Sequence, residues 1–241
     1  MEDLLSRLRV VLVRTSHPGN IGAAARAMKT MGLQDLRLVA PLRFPAPEAE
    51  WMASNASDVL AGARVHGELG EAIADCVAAY ALSARPREWS LEVLAARDAA
   101  REALERAAEG PVALVFGSEK AGLSNEELLA CQRLVHIPAN PAYRSLNVAQ
   151  AVQVLCYEAR VAAGAGAVPE RRAEALATVQ DVEALYAHLE RAATESGFFD
   201  PADPKQLRER FRRLFSRAVM EREEVNILRG LLKALEKKAG R

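Results

Sequence analysis

The 241-residue chain has few cysteines, few aromatic residues and no net charge. Its three cysteines, Cys76, Cys131 and Cys156, are widely spaced and odd in number, which excludes a disulfide-rich secreted domain. No apolar run approaches the roughly 18 residues that a membrane-spanning helix needs. Met1–Arg9 is too charged for a secretory signal, and the four histidines lack metal-ligand spacing. We therefore expect a cytoplasmic protein with reduced thiols, no metal and no membrane contact.

Charge is balanced overall but unevenly distributed. The chain holds 32 basic and 32 acidic residues, yet residues 205–241 contain 12 Lys/Arg against 5 Asp/Glu. Residues 1–204 therefore carry 20 basic against 27 acidic side chains. A basic tail on an acidic body favours a polyanion as partner. The alternative is that amphipathic helices simply place arginine-rich faces in water.

Strand and helix patterns alternate through the first two thirds of the chain. The predicted strands are Val10–Val13, Leu36–Val39, Ala63–His66, Val77–Leu82, Val112–Phe116 and Leu134–Ile137. Helical patterns lie between and after them, the longest at Leu91–Ala108 and Val148–Val161. This alternation predicts an α/β fold with a mostly parallel sheet and helices on both faces. Three amphipathic helices without strands follow, so we expect a body over residues 1–163 and a helical extension over residues 164–241.

Three polar loops follow predicted strands at Thr15–Gly22, Gly117–Ser124 and Ile137–Asn147. Because parallel strands present their carboxyl ends at one edge of a sheet, we expect these loops to form one binding site. The Gly-x-Gly-x-x-Gly fingerprint and the Gly-x-x-x-x-Gly-Lys-Ser/Thr phosphate loop are both absent, which argues against a dehydrogenase or a nucleoside triphosphatase. In the third loop, a simpler reading is that Ser145 and Asn147 only cap the following helix.

The same loops resemble the three motifs of SPOUT-class (TrmH-like) RNA 2′-O-methyltransferases. The matching stretches are Asn20–Lys29, Val115–Leu123 and Ile137–Asn147. Within that class the chain is most similar to the TrmJ-type tRNA (cytidine/uridine-2′-O)-methyltransferases, which act on nucleotide 32, because the tail segments Leu207–Phe215 and Asn226–Leu232 match as well. The resemblance implies methylation of tRNA by a homodimer. Methylation of ribosomal RNA and non-catalytic RNA binding stay open as alternatives.

This resemblance also implies a trefoil knot at the C-terminal end of the α/β body, with S-adenosylmethionine bound in it. The implied cofactor-binding residues are Leu82, Ser83, Ala84, Gly117, Ile137, Ser145, Leu146 and Asn147. Leu82 stands where the family is expected to have a threonine, so a side-chain contact from this position is not implied.

The implied catalytic residues are Arg26, Asn20, Glu119, Ser145 and Asn147. Transfer of a methyl group to a ribose hydroxyl requires in-line alignment and acceptance or polarisation of the hydroxyl proton. A guanidinium stays protonated in proteins, so we expect Arg26 to hold the target phosphate instead of acting as a base. The arginines expected to bind tRNA phosphates in a salt-sensitive way are Arg85, Arg208, Arg212, Arg213 and Arg217.

Overall fold

The computed structural model describes residues 2–83, 91–164, 175–202 and 206–239. Within them a parallel sheet of seven strands has the order β3-β2-β1-β6-β4-β7-β5. The strands are β1 (Leu8–Val13), β2 (Asp35–Val39), β3 (Arg64–His66), β4 (Ala78–Leu82), β5 (Val93–Ala95), β6 (Val112–Phe116) and β7 (Arg133–His136). The predicted α/β fold with a parallel sheet is confirmed, and the trefoil knot stays a prediction.

Helices cover both faces of the sheet. Those of the body are α1 (Glu2–Leu5), α2 (Pro18–Met31), α3 (Pro47–Ala53), α4 (Ser57–Ala61), α5 (Leu69–Ile73), α6 (Ala96–Ala107), α7 (Asn125–Leu129) and α8 (Val148–Gly164). Three more helices follow: α9 (Val179–Glu195), α10 (Leu207–Ser216) and α11 (Arg222–Ala239). No helix of the described residues combines the length and the apolar character that crossing a membrane requires.

The period-two alternation of strand side chains divides the hydrophobic core between the two faces. Val10 and Leu12 of β1 belong to the larger cluster, which includes buried residues of α2, α6 and α8. Val11 and Val13 belong to the second cluster, on the face covered by α5 and α7. Every residue of β1 is buried, as expected of a central parallel strand.

The prediction of one helix from Leu91 to Ala108 is wrong in its first turn. Val93–Ala95 form strand β5, and α6 begins only at Ala96. The backbone of this segment pairs in parallel with β7, and the Glu92 carbonyl accepts a hydrogen bond of 3.0 Å from the Leu134 amide. The open edge of β7 therefore outweighs the local helical pattern, because pairing there satisfies backbone groups of both segments.

The helical extension is attached to the sheet at the amino-terminal ends of its strands. The Val179 amide donates to the Cys76 carbonyl, just before β4, at 2.7 Å. Arg133 at the start of β7 donates to the Ser216 carbonyl at 2.7 Å. The boundary at residues 163 and 164 stays a prediction, since 165–174 lie outside the described residues.

The opposite edge of the sheet carries the loops that the sequence singles out. Loop 1 (residues 14–17) follows β1, loop 2 (residues 117–124) follows β6 and loop 3 (residues 137–147) follows β7. Helix α2 begins at Pro18, three residues before the predicted start at Ile21, because proline is well suited to the first turn of a helix. The predicted residue Asn20 therefore lies in the first turn of α2.

Candidate active site

Three polar side chains from separate parts of the chain meet at the carboxyl-terminal edge of the sheet. Asn147 Nδ2 in loop 3 donates to Asn20 Oδ1 at 2.9 Å. Asn20 Nδ2 donates in turn to Glu119 Oε1 in loop 2 at 2.7 Å. The expected convergence of the three loops is therefore present as a continuous chain of hydrogen bonds. In this series of hydrogen bonds the orientation of each asparagine side-chain amide is set by its neighbour.

Glu119 is the acceptor on which this chain ends. Its Oε2 accepts from the Ser16 amide at 3.0 Å and from Ser16 Oγ at 2.9 Å, and its Oε1 accepts from the His17 amide at 3.4 Å as well as from Asn20. Partial burial raises the pKa of Glu119, but the hydrogen bonds from Ser16 and Asn20 outweigh it and lower the pKa to about 2. Glu119 is therefore ionised at neutral pH.

The Glu119 carboxylate is held in place by backbone amides at the beginning of α2. His17 precedes this helix but makes no capping hydrogen bond with its side chain. The carboxylate of loop 2 instead accepts from the backbone amides before the helix, near the positive end of the helix dipole. Loop 1 and loop 2 are therefore held together by an acid that the sequence places about 100 positions from its donors.

Asn147 performs two tasks. Its Oδ1 accepts from the Ala149 amide at 2.9 Å, which caps the start of α8, while its Nδ2 donates to Asn20. The simpler reading that Asn147 only caps a helix is therefore insufficient. Ser145 is exposed and lines the cleft beside this cluster.

A cleft with a volume of about 470 Å³ lies between loop 2 and loop 3. Its lining includes six of the predicted cofactor-binding residues, namely Leu82, Ser83, Gly117, Ile137, Ser145 and Leu146. Asn147 is not among the lining residues but is linked through Asn20 to Glu119, which lines the cleft. Ala84 lies outside the described residues. The size and mixed lining are typical of a small-molecule site.

Glycine shapes one wall of this cleft. A Cβ added at Gly117 would lie 2.2 Å from the Gly122 carbonyl carbon, so loop 2 closes on itself only when residue 117 has no side chain. Gly122 has a φ of +69°, which side chains rarely allow, although the space around it is open. The backbone of loop 2 is thus compact where it borders the cleft.

Arg26 is not part of the hydrogen-bonded cluster. It is exposed on α2, about 9 Å along the helix axis from Asn20. Within the part of the chain that the structure describes, its guanidinium has no hydrogen bond or ion pair. The side chain is therefore free to bind an anion, and its predicted role stays a prediction.

The predicted RNA-binding arginines fall into distinct groups. Arg208 pairs with Glu190, and Arg212 pairs with Glu183 through two contacts of 2.5 and 2.6 Å. These two arginines hold α10 against α9. Arg85 lies outside the described residues.

Arg213 and Arg217 are exposed and, among the described residues, make no ion pair. Together with Arg210, they line a groove of about 400 Å³ over Leu129. The three arginines are spaced at i, i+3 and i+7, which places them on one helix face. This groove lies with the helical extension, away from the cleft.

Sequence reasoning missed two residues that fix loop 1. Ser16 supplies two of the donors to Glu119. Arg14, with a φ of +48°, forms a two-contact ion pair with Glu127 of α7. No local pattern marks either residue, because each partner is about 100 positions away in the chain.

The fold and the three-loop cleft belong to one class of enzyme. The sequence matches the SpoU rRNA Methylase family over residues 7–157 and the C-terminal domain of the tRNA methyltransferase TrmJ over residues 180–241. The chain belongs to the SpoU methylase family and, within it, to the TrmJ group. The predicted resemblance and the prediction of a methyltransferase are confirmed.

Individual relatives match over almost the whole chain. The tRNA (cytidine/uridine/adenosine-2′-O-)-methyltransferase TrmJ of Pseudomonas aeruginosa is 48% identical, covering 98% of this chain and 96% of its own. The tRNA (cytidine/uridine-2′-O-)-methyltransferase TrmJ of Yersinia enterocolitica is 45% identical, covering 97% and 93%. The crystal structure of TrmJ from Z. mobilis ZM4 superposes with a TM-score of 0.83 at 36% identity, covering 95% of this chain and 98% of that one.

Proposed function

We propose that this protein transfers a methyl group from S-adenosylmethionine to the ribose 2′-hydroxyl of a cytidine or uridine at nucleotide 32 of tRNA. The observation that carries this proposal is the convergence of Asn147, Asn20 and Glu119 beside a cleft of small-molecule size. The full-length similarity to enzymes named as tRNA 2′-O-methyltransferases supports the substrate class. The matching C-terminal domain favours tRNA over ribosomal RNA.

The residues of the cleft fit S-adenosylmethionine. Leu82, Ile137 and Leu146 provide apolar surface for a purine ring, and the compact backbone of loop 2 beside Gly117 offers peptide groups for hydrogen bonds. When bound, this cofactor supplies an electrophilic methyl group on a sulfonium. Ser83 and Ser145 add hydroxyls that can bind its polar end.

Glu119 acts by positioning and not as a general base. Both of its oxygens already accept hydrogen bonds, and a carboxylate with a pKa of about 2 has little affinity for a proton at neutral pH. Its task is to fix Asn20, which together with Asn147 and Ser145 orients the ribose. The alignment of the hydroxyl with the methyl donor is the principal source of rate enhancement in this scheme.

Arg26 holds the phosphate next to the target ribose and polarises the hydroxyl through it. A guanidinium presents a planar fork that binds phosphate through two hydrogen bonds, and it does not accept protons. Arg26 is exposed and does not line the cleft of its own subunit. A homodimer that brings the α2 helices of both subunits near one RNA would allow Arg26 to hold the phosphate next to the target ribose.

The arginines of α10 and of its C-terminal cap, Arg217, bind RNA backbone away from the cleft. Within the described part of the chain Arg210, Arg213 and Arg217 make no ion pair, whereas Arg208 and Arg212 are paired with Glu190 and Glu183. The cleft and the extension lie at opposite edges of the sheet. One tRNA would therefore contact both by spanning the protein or by bridging two subunits of a cytoplasmic homodimer.

The test is incubation of the purified protein with S-adenosylmethionine and unmodified tRNA, followed by mapping of methylated nucleosides by mass spectrometry. The expected product is 2′-O-methylcytidine or 2′-O-methyluridine at nucleotide 32. Methylation of ribosomal RNA alone, or RNA binding without methyl transfer, would refute the proposal.

A further inference from the structure

Two exposed cationic side chains line the cleft from opposite sides. Lys120 belongs to loop 2 and Arg144 to loop 3. The one acid among the lining residues is Glu119, whose oxygens are occupied by Ser16, His17 and Asn20. Among the described residues neither cation forms an ion pair with Glu119, so the lining carries two cationic side chains against one carboxylate.

Lys120 lies in a turn whose backbone is fixed. The Gly122 amide donates to the Ser118 carbonyl at 2.9 Å, and the Ala121 amide donates to Ser118 Oγ at 3.3 Å. Within the described ranges the Lys120 ammonium has no hydrogen bond and no ion pair. A rigid backbone thus carries an uncommitted point charge beside the cleft.

Arg144 is held in a comparable way by loop 3. A turn begins at Asn140, whose Oδ1 accepts from the Ala142 amide at 2.9 Å and whose carbonyl accepts from the Tyr143 amide at 2.9 Å. Arg144 Nε donates to the Pro141 carbonyl at 3.2 Å. Both Nη groups lack a partner among the described residues, so the side chain is oriented while its terminal fork stays free.

We propose that Lys120 and Arg144 form a clamp for the phosphodiesters on either side of the target ribose, one of which is also contacted by Arg26. This proposal rests on the proposed function, because it assumes that the ribose enters the cleft. The cofactor is a poor match for these cations, since its sulfonium and ammonium outweigh its single carboxylate. An RNA strand that places one ribose in the cleft brings two phosphates to its rim, one for each loop.

The test compares Lys120→Ala and Arg144→Ala with the control Arg101→Ala. Arg101 is an exposed arginine of α6 with only a 3.8 Å pair to Asp98. Binding to full-length tRNA is measured at several salt concentrations, and binding of S-adenosylhomocysteine is measured by calorimetry. Each cleft variant should weaken tRNA binding about tenfold and reduce the slope of log K against log salt by about 0.7 to 0.9. Affinity for S-adenosylhomocysteine and all properties of the control should be unchanged.

A second measurement locates the phosphates. Synthetic tRNA carrying a neutral methylphosphonate at either phosphate next to the target ribose should bind wild-type protein about tenfold more weakly. The same modification should weaken binding less in the variant that lacks its partner than in wild type, and Arg144→Lys should retain part of the affinity. Additive losses, or loss of cofactor affinity in either alanine variant, would overturn the clamp.

These binding measurements need no methyl transfer. A protein that binds tRNA through the clamp but methylates nothing would refute the proposed function and leave the clamp standing. A protein that methylates nucleotide 32 with unchanged binding by both alanine variants would refute the clamp alone.

Discussion

Replacement of Glu119 by glutamine separates the charge of this side chain from its shape. All four groups that face the carboxylate are donors: the Ser16 amide and hydroxyl, the His17 amide and the Asn20 side-chain amide. Glutamine has one oxygen and one NH₂ group, so at least one donor of loop 1 or α2 would face another donor. We expect Asn20 to lose its fixed orientation and loop 1 to loosen.

The size of the effect follows from the pKa. Because the pKa of Glu119 falls from 4.5 to about 2 on folding, ionised Glu119 stabilises the folded state. The side chain is partly exposed, so solvent screening reduces this contribution to on the order of 1 to 2 kcal/mol. The stabilisation is complete above the unfolded pKa of 4.5 and is lost as pH falls towards 2.

Denaturant unfolding of wild type and Glu119→Gln at pH 7 and pH 3 measures this contribution. We expect the variant to be less stable by about 1 to 2 kcal/mol at pH 7, with more than half of that difference gone at pH 3. Glu105→Gln, an exposed acid of α6, serves as the control and should change stability little. A difference that is absent at pH 7, or equal at both pH values, would refute the reasoning.

Three further predictions concern Arg26, loop 2 and the attachment of the extension. Arg26→Ala should reduce methyl transfer about a hundredfold or more while changing the free energy of unfolding by less than about 0.5 kcal/mol, because the side chain is exposed and unpaired within the described residues. Gly117→Ala should destabilise the protein by about 1 to 3 kcal/mol and weaken cofactor binding, because its Cβ would overlap loop 2. Gly122→Ala, which meets open space at positive φ, should cost only about 1 to 2 kcal/mol. Arg133→Met should cost about 1 to 3 kcal/mol, because it leaves the Ser216 carbonyl without this donor and removes one of the two arginines beside Glu102, which keeps its pairing with Arg106.

Methyl-transfer assays, calorimetric titration of the cofactor and thermal unfolding measure these outcomes. An Arg26→Ala variant with normal turnover would exclude Arg26 from the reaction. A Gly117→Ala variant that binds cofactor normally would show that loop 2 can open without cost. An Arg133→Met variant as stable as wild type would remove the attachment role of this arginine.

The central strands of the body were predictable because they are buried on both faces, whereas β3 was predicted although its residues are largely exposed. Continuous apolar runs such as Val112–Phe116 can hardly be anything but central strands, and they match the observed elements to within one or two residues. Strand β5 was not predictable. Its three residues pair with β7. The edge of β7 becomes available only in the folded sheet, so the local sequence of β5 does not indicate this pairing.

The candidate site was predictable in its members but not in its contacts. Asn20, Glu119 and Asn147 stand out as polar residues after strands, yet the sequence does not indicate that Glu119 accepts from Ser16 or that Asn147 also caps α8. The charge pattern of the sequence likewise did not indicate which arginines form ion pairs. The composition of α10 marks all its arginines alike, whereas the fold pairs Arg212 with Glu183 and leaves Arg213 exposed.

The amino-acid sequence by itself determined the alternation of strands and helices, the three polar loops and the family, because each depends on local periodicity or on short motifs. The tertiary structure alone decided which groups donate hydrogen bonds to Glu119, which arginines of the described residues form ion pairs, and that the helical extension lies at the end of the strands opposite the cleft. Hydrogen bonds and ion pairs between residues about 100 positions apart depend on distances that exist only after the chain has folded.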